Sequence, residues 1–186
     1  MIGSPRWEKF ALGSGEWRLC LACNRWAARR AISRFFSIVS RLGDGAFWYT
    51  LMLALAALGG AQGVGAAAHM AVVGITTALL YRTLKRWTQR PRPYRAHHGI
   101  IAHVPPLDEF SFPSGHTLHA VSFTLVALAW FPALAVILLP FTVLVALSRV
   151  ILGLHYPSDV LAATAIGCLL AGASIRLAAV SGLLPG

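Results

Sequence analysis

Three short polar clusters interrupt a chain of 186 residues that is otherwise largely apolar, with 57% hydrophobic and only 12% charged residues. The clusters run from Lys85 to Pro93, from Phe112 to Thr117 and from Ser148 to Asp159. They contain lysine, arginine, histidine and aspartate side chains, which bind anions and transfer protons. A typical soluble domain has about 25% charged residues, so polar side chains gathered in a chain this apolar indicate a site that does chemistry.

The cations of these clusters suit a phosphate dianion. Lys85, Arg92 and Arg149 are accompanied by few carboxylates, and an arginine can bind two phosphate oxygens at once. The Pro-Ser-Gly sequence that contains Ser114 and Gly115 predicts a helix start, because proline suits the first helical turn. Backbone N–H groups near these two residues would then face an anion, which the helix dipole also favours. We therefore expect all five residues to bind phosphate.

The two histidines of the clusters suit a two-step phosphoryl transfer. His155 and Asp159 lie about one helical turn apart on one face. Asp159 can accept a hydrogen bond from one imidazole nitrogen, which fixes the tautomer and leaves the other nitrogen to attack phosphorus. His116, at the predicted helix start, can protonate the leaving oxygen and later deprotonate water. His155, His116 and Asp159 are therefore the predicted catalytic residues.

This chemistry requires no metal ion and no other cofactor, and the sequence offers no carboxylate cluster suited to magnesium. One alternative is a metal site in the loop where His97, His98 and His103 share a segment with Asp108 and Glu109. Their spacing is irregular for metal ligands. The preferred interpretation is that this loop forms the rim of the site and contacts the substrate.

The three clusters resemble the signature of the type 2 phosphatidic acid phosphatase superfamily, also called lipid phosphate phosphatases. The family pattern is K-x6-R-P, then P-S-G-H, then S-R-x5-H-x3-D; the chain keeps its order and spacing. The resemblance covers about residues 43 to 180. It implies a phosphohistidine intermediate and a lipid phosphate or diphosphate as substrate. It implies functional roles for Lys85, Arg92, Ser114, Gly115, His116, Arg149, His155 and Asp159.

The apolar segments narrow the functions that the resemblance allows. The superfamily includes soluble acid phosphatases and vanadium haloperoxidases, and long apolar segments disfavour both. The short bacterial members are the most similar, which favours undecaprenyl diphosphate slightly over phosphatidate and phosphatidylglycerol phosphate. The alternative is a non-catalytic lipid-binding or transporter-associated membrane protein, which would bind phospholipid without turnover. A nucleic-acid partner is not expected despite the net charge of +10, because little soluble surface remains.

Long apolar segments predict the helices that must position the clusters. Residues 46–81 and 110–148 contain no Asp, Glu, Lys or Arg, and each is long enough for two spans of about 20 residues. A third apolar segment follows Asp159 and is interrupted only by Arg176. These segments predict an all-α integral membrane bundle of about five transmembrane helices, near 46–59, 65–83, 114–131, 133–150 and 157–180. Glycine-rich turns are predicted at 43–45 and 59–65. All three clusters then lie at one membrane face.

Residues 1–42 are predicted to form an N-terminal segment before a membrane-embedded phosphatase domain at 43–186. The first 15 residues are expected to be loosely ordered, and they show no cleavable signal peptide. From 16 to 41 an amphipathic, arginine-rich pattern predicts a continuous or broken helix on the membrane surface, with its arginines directed to lipid headgroups. The same charges would also help to fix the topology.

Four arginines near the end of the second predicted span are also interpreted as headgroup contacts: Arg82, Arg86, Arg90 and Arg95. The expected location is the inner membrane of the cell, with several spans and with the site at the membrane–water boundary. The side that the site faces stays open. The N-terminal arginines favour the cytoplasm, whereas many members of the resembled family act on the outer face.

Overall fold

The computed structural model describes residues 15–184, which form helices joined by turns and loops without any strand. The α-helices are α1 Glu16–Trp26, α2 Arg30–Arg41, α3 Phe47–Leu58, α4 Gly60–Thr88, α5 Pro93–Ala96, α6 Gly115–Trp130, α7 Ala135–Ile151 and α8 Pro157–Val180. A π-helical turn, Leu42–Ala46, joins α2 to α3, and a 3-10 turn precedes α7. The predicted all-α class is confirmed. The predicted loose order at 1–14 lies outside the described residues.

The predicted amphipathic segment at 16–41 forms the two helices α1 and α2. Its six arginines are all exposed, and the opposite side packs on α7 and α8. α1 buries Glu16, Cys20 and Asn24, so its inner face contains polar as well as apolar groups. The segment is thus attached to the bundle, and its separation from the rest of the chain at residue 42 stays a prediction.

Three helical segments within residues 15–184 are long and apolar enough to cross a bilayer: Gly60–Ala96, Pro132–Ile151 and Pro157–Val180. They correspond to the second, fourth and fifth predicted spans. α3 has 12 residues and α6 has 16, which correspond to about 18 and 24 Å of helix. Both values are below the hydrocarbon thickness of about 30 Å. The membrane-type helical bundle is confirmed, while the count of five spans stays a prediction.

The reversal between α3 and α4 is tighter than the predicted turn at 59–65. α3 ends at Leu58 and α4 begins at Gly60, whose φ is 58°. Gly63 is already helical, and a Cβ there would lie 1.9 Å from the carbonyl oxygen of Leu55. These glycines therefore allow α3 and α4 to pack closely. From sequence, the same glycines had suggested a longer turn.

α6 is the central helix of the bundle. It packs against α4, α7 and α8, and most of its residues are buried. A helix that is apolar on all sides is expected to be enclosed in this way. The first turn of α6 consequently lies among the end of α4, the end of α7 and the start of α8, where the three polar clusters are located.

Candidate active site

The three polar clusters converge on one cavity of about 1090 Å³. Its lining includes Lys85 in the last turn of α4, Arg92 shortly after it, His116 in the first turn of α6, Arg149 at the end of α7 and His155 in the next loop. Each of these five side chains is at least nine-tenths buried. The predicted convergence is therefore observed, and the burial strengthens the attraction of these cations for an anion.

The loop between α7 and α8 fixes His155 through its backbone. The N–H groups of Leu154 and His155 both donate to the Arg149 carbonyl oxygen, at 3.0 and 3.1 Å. Gly153 has a φ of 76°, and a Cβ there would lie 2.6 Å from the Ile101 carbonyl oxygen. Glycine meets both the conformation and the space at this position, so the loop places His155 at the cavity wall.

The two ring nitrogens of His155 face different partners. Arg92 NH1 lies 3.3 Å from Nε2; because a guanidinium only donates, Nε2 is the accepting nitrogen and Nδ1 carries the proton. Nδ1 lies 3.5 Å from Asp159 Oδ2 and has no hydrogen-bond partner within residues 15–184. The geometry favours the predicted tautomer, with the proton on Nδ1. The predicted hydrogen bond between His155 and Asp159 is not formed at this distance.

The surroundings of His155 keep its ring uncharged. Burial holds the pKa of His155 well below its ordinary value, and the positive charges of Arg92, Arg149 and Lys85 lower this pKa further. The neutral ring keeps a lone pair on Nε2. This is the form of imidazole that can attack phosphorus.

Asp159 is held by contacts that the sequence did not indicate. Its Oδ2 accepts from the Tyr156 backbone N–H at 2.8 Å, and its Oδ1 accepts from Arg90 NH1 at 2.7 Å. Arg90 is only 1% exposed, so its interpretation as a headgroup contact is wrong. The other three arginines of that group are exposed. Arg90 differs because it follows the end of α4, where the chain turns into the bundle.

A carboxylate lies between two of the predicted phosphate-binding cations. Lys85 Nζ is 2.6 and 2.7 Å from the two carboxylate oxygens of Asp108, and Arg92 NH2 is 2.7 Å from Oδ1. Burial opposes the ionisation of Asp108, but the charges and hydrogen bonds of Lys85 and Arg92 outweigh it and lower the pKa of this carboxyl. The sequence predicted Asp108 only as part of the loop that forms the rim of the site. In the fold, its carboxylate contacts both Lys85 and Arg92.

A second carboxylate, also missed from sequence, contacts His116. Asp44 Oδ1 touches His116 Nε2, and both side chains line the cavity. Asp44 comes from the π-helical turn Leu42–Ala46, in which Gly45 has a φ of 141°. The Gly-Asp-Gly sequence that predicted a turn therefore also brings an acid to the site. The available sequence signal for Asp44 as a site residue was an acid between two glycines at the start of a predicted span.

Ser114 and Gly115 have different positions at the start of α6. Gly115 lines the cavity, as expected of a residue beside phosphate. Ser114 is buried and caps the helix: its Oγ accepts from the Thr117 N–H, and its own N–H donates to the Asp159 carbonyl oxygen at 3.2 Å. The Ser114 N–H is therefore directed to Asp159 rather than to the cavity, which corrects its predicted phosphate contact.

The loop histidines have structural contacts. Among residues 15–184, no three His, Cys, Asp or Glu side chains are grouped as metal ligands. His97 stacks on Trp17 with 5.5 Å between the ring centroids, and the His103 backbone N–H donates to the Leu152 carbonyl oxygen at 3.2 Å. The alternative of a metal site in this loop therefore has no support in the described part of the chain.

The rest of the cavity is apolar and follows the helices. It is lined on α3 between Trp48 and Leu53, on α4 between Ala71 and Tyr81, and by Phe123 of α6. The α4 stretch corresponds to a rise of about 15 Å. Leu53 and Ile75 are 71% and 64% exposed, so part of this wall is also outer surface. We call this part of the cavity the apolar groove; it continues directly from the cationic end.

Comparison with known proteins identifies similar phosphatases. The family model described as the PAP2 superfamily matches residues 62–182. A lipid A 1-phosphatase of Rhizobium etli is 33% identical over 104 residues, which cover 54% of this chain and 45% of the relative. A decaprenylphosphoryl-5-phosphoribose phosphatase of Mycobacterium tuberculosis is 42% identical over 88 residues, which cover 45% of each chain. The chain thus spans less than half the length of these two relatives.

A solved structure has the same fold. The first transmembrane PAP2 type phosphatidylglycerolphosphate phosphatase from Bacillus subtilis gives a TM-score of 0.70 with 25% sequence identity, over 89% of this chain and 87% of that chain. The segment matched by the family model, 62–182, contains all eight predicted site residues. It leaves out Asp44 and the helices α1 and α2.

Proposed function

The chain belongs to the PAP2 superfamily, and on this premise we propose that it is a membrane phosphatase that hydrolyses a lipid phosphate or diphosphate through a phosphohistidine at His155. The observation that carries the proposal is the shared cavity. Its cationic end is lined by Lys85, Arg92 and Arg149 together with His116 and His155, and the apolar groove continues from it. A phosphate head on an apolar tail matches both parts.

Substrate binding exchanges one anion for another. The lipid phosphate takes the place of the Asp108 carboxylate between Lys85 and Arg92, and Arg149 approaches it from α7. The planar guanidinium of Arg92 can bind two phosphate oxygens. The dipole of α6 favours negative charge at the same end of the cavity. Phosphorus is then next to His155 Nε2, which already lies 3.3 Å from Arg92 NH1.

Two displacements complete the reaction. In the first, the Nε2 lone pair of His155 forms a bond to phosphorus, the bond to the lipid oxygen breaks, and His116 gives its proton to that oxygen. In the second, water attacks phosphorus, His116 takes a proton from the water, and the phosphorus–nitrogen bond breaks to release inorganic phosphate. Asp159 stabilises the charged ring between the two steps. The three cations stabilise charge on the equatorial oxygens in both.

The apolar groove is the proposed position of the lipid tail. Its length along α4, about 15 Å, is about equal to one leaflet's half of a hydrocarbon core about 30 Å thick. The exposure of Leu53 and Ile75 on its wall allows a tail to enter sideways from the bilayer. One continuous groove suits one tail better than two, and this favours a polyprenyl substrate.

Undecaprenyl diphosphate is therefore our first candidate, with phosphatidate and phosphatidylglycerol phosphate as the others. The names of the two relatives add a lipid A 1-phosphate and a polyprenyl-phosphoryl phosphoribose to this set. The phosphate site is common to all of these lipids. The tail and the group beyond the phosphate therefore decide among them, and a panel of lipid mono- and diphosphates ranks them by kcat/KM.

Phosphate release by the purified protein in detergent, with EDTA present, tests the proposal. We expect turnover of at least one lipid of the panel and no turnover by His155→Ala. Binding of the lipids without turnover would instead support a non-catalytic lipid-binding protein. Loss of activity in EDTA with recovery on addition of zinc would contradict the metal-free mechanism.

The site is proposed to lie at the membrane–water boundary of the inner membrane. Cysteine labelling decides the side, in a background that lacks the three native cysteines. Three proposed spans separate positions 97 and 182, so the two positions lie on opposite faces of the membrane. His97→Cys and Gly182→Cys should therefore react with an impermeant reagent from opposite sides. Labelling of both from one side would contradict the five-span topology.

A further inference from the structure

A buried charge cluster links the N-terminal helix α1 to Asp159. Arg90 NH1 donates to Asp159 Oδ1 and to Ser158 Oγ, both at 2.7 Å, and Arg90 NH2 is paired with Glu16 Oε1. Ser158 Oγ in turn donates to Glu16 Oε2. All four side chains are more than nine-tenths buried, and none of them lines the active-site cavity. The cluster therefore contacts the predicted catalytic residues through Asp159.

Polar contacts fix α1 in the position that brings Glu16 to Arg90. Asn24 Nδ2 donates to the carbonyl oxygens of Ile101 and Ile151, at 2.9 and 3.0 Å, and Asn24 Oδ1 accepts from the Ile101 N–H at 2.9 Å. These bonds attach α1 to the loop before α6 and to the end of α7. α1 is thus held next to the loop that carries the proposed nucleophile.

The charges of this cluster depend on one another. Two carboxylates share one guanidinium, and buried charges are stable only when they are paired. Without Arg90, Glu16 and Asp159 would be two neighbouring buried anions, and one of them would take up a proton. In the structure, His155 Nδ1 is 3.5 Å from Asp159 Oδ2. Without Glu16, Arg90 would be paired with Asp159 alone, and the stronger attraction would hold Asp159 away from His155.

We propose that Glu16 and Arg90 are positioning residues for the His155–Asp159 pair: Arg90 keeps Asp159 ionised and in place, and Glu16 balances the charge of Arg90. The proposal rests on the proposed function, because it presumes that His155 attacks phosphorus. Arg90 occupies an unspecified position of the first sequence pattern, K-x6-R-P, and Glu16 lies outside all three patterns and before the family match at 62–182. The Arg90 guanidinium also lies over the Tyr156 ring, at 4.0 Å from its centroid, which restricts its movement.

A double-mutant cycle of Glu16→Gln and Arg90→Gln tests this charge balance. Arg90→Gln should lower kcat about 100-fold and Glu16→Gln about tenfold, which is the range for residues that orient a reacting group. The double variant removes one anion and one cation together, so its kcat should exceed that of Arg90→Gln about tenfold. Purely structural roles would instead give additive losses, with the double variant the least active.

Binding of inorganic phosphate, the product, provides a readout that a general loss of structure would change. Lys85, Arg92 and Arg149 are unchanged in all variants, so phosphate affinity and KM should stay within about twofold of the parent while kcat falls. Arg25→Gln is the matched control on α1, because Arg25 is exposed and lies on the opposite side from the buried cluster. It should leave both kcat and the midpoint of thermal unfolding unchanged. If Arg90→Gln cannot be isolated folded, Glu16→Gln alone decides: a kcat equal to that of the parent overturns the proposal.

The outcomes separate this proposal from the proposed function. A parent protein that binds inorganic phosphate but hydrolyses no lipid phosphate would refute the proposed function. A parent protein that hydrolyses lipid phosphate, with a double variant no more active than Arg90→Gln, would refute only the positioning role of Glu16 and Arg90. An equal fall in phosphate affinity and in kcat would also refute that positioning role.

Discussion

Each histidine of the site is accompanied by a carboxylate, and the two pairs have different geometry. Asp159 lies 3.5 Å from His155 Nδ1 and is held by other donors, whereas Asp44 is in direct contact with His116 Nε2. A carboxylate stabilises the imidazolium form. The proposed acid–base residue is therefore the one in closer contact with an anion, while the proposed nucleophile lies among cations that keep its ring neutral.

Replacing Asp44 tests this division of roles. Asp44→Asn keeps the side-chain shape and removes the charge that stabilises the His116 imidazolium. We expect kcat for lipid phosphate hydrolysis to fall by roughly tenfold or more, with little change in the affinity for inorganic phosphate. The effect should depend on His116, so Asp44→Asn should cost nothing further in a His116→Ala background. An additional loss in that background would contradict the proposed role of Asp44.

At the residue scale, motif spacing located the groups that line the cavity but not those that hold them. Lys85, Arg92 and His155 were predicted because their types and intervals match one chemistry. Arg90 was misassigned and Asp108 was underestimated, because their partners lie tens of residues away in sequence. Asp108 bonds Lys85 across 23 positions and Arg90 bonds Asp159 across 69. Such pairings follow from the packing of helices, which no local pattern contains.

The loop before α6 carries a carboxylate into the cationic end of the cavity. If Asp108 competes with phosphate for Lys85 and Arg92, then Asp108→Asn should tighten orthovanadate binding about three- to tenfold, since a larger fraction of the protein is free to bind. Glu109→Gln is the matched control, because Glu109 is paired with the exposed Arg95, at 3.4 Å, and not with Lys85 or Arg92 as Asp108 is. Isothermal titration in detergent measures both affinities. Weaker or unchanged vanadate binding by Asp108→Asn would show that Asp108 supports the cations instead of competing for them.

The close contact between α3 and α4 shapes the wall of the apolar groove. Gly63→Ala would place a Cβ 1.9 Å from the Leu55 carbonyl oxygen, so the two helices would have to separate. We expect a loss of about 1–3 kcal/mol, seen as a lower midpoint of thermal unfolding in detergent. Gly172→Ala on α8 is the control, because nothing lies within 4 Å of its Cβ position. Equal stability of the two variants would contradict the packing role of Gly63.

At the element scale, apolar length and glycine positions predicted most of the helices. The helices α7 and α8 were placed within two residues and the body of α4 was placed correctly, because each contains a long segment with few charged residues. The turn predicted at 59–65 was too long, because the reversal takes only Gly59 and Gly60 and glycine also marks close helix contacts. The inner face of α1 was also missed. Its polar residues Glu16 and Asn24 bind groups that become neighbours only after the bundle has formed.

For the molecule as a whole, histidines that are neutral in partly or fully buried positions make stability depend on pH. Burial lowers the pKa of His97, His103 and His155, all outside the membrane-spanning segments. In the unfolded chain such residues titrate near 6.5, so below that pH the unfolded state binds more protons than the folded state, and stability falls as pH falls. The unfolding midpoint in detergent should therefore be highest above about pH 7 and decrease between about pH 6.5 and 5.

The contribution of His155 to this pH dependence can be isolated with His155→Gln, which cannot take up the proton. This variant should lose less stability than the parent between the same two pH values. An unfolding midpoint that rises as the pH falls, or a variant with the same pH dependence as the parent, would contradict the account of His155 as a buried neutral imidazole.

The most direct test of the central claim is to trap the phosphorylated protein. Rapid mixing with a ³²P-labelled lipid phosphate in EDTA, followed by quenching in alkali and peptide mapping, should place an acid-labile, alkali-stable phosphate on His155. The label should be absent from His155→Ala and should appear and decay at rates consistent with turnover. Continued turnover without labelled His155, or a label on another residue, would contradict the proposed nucleophile.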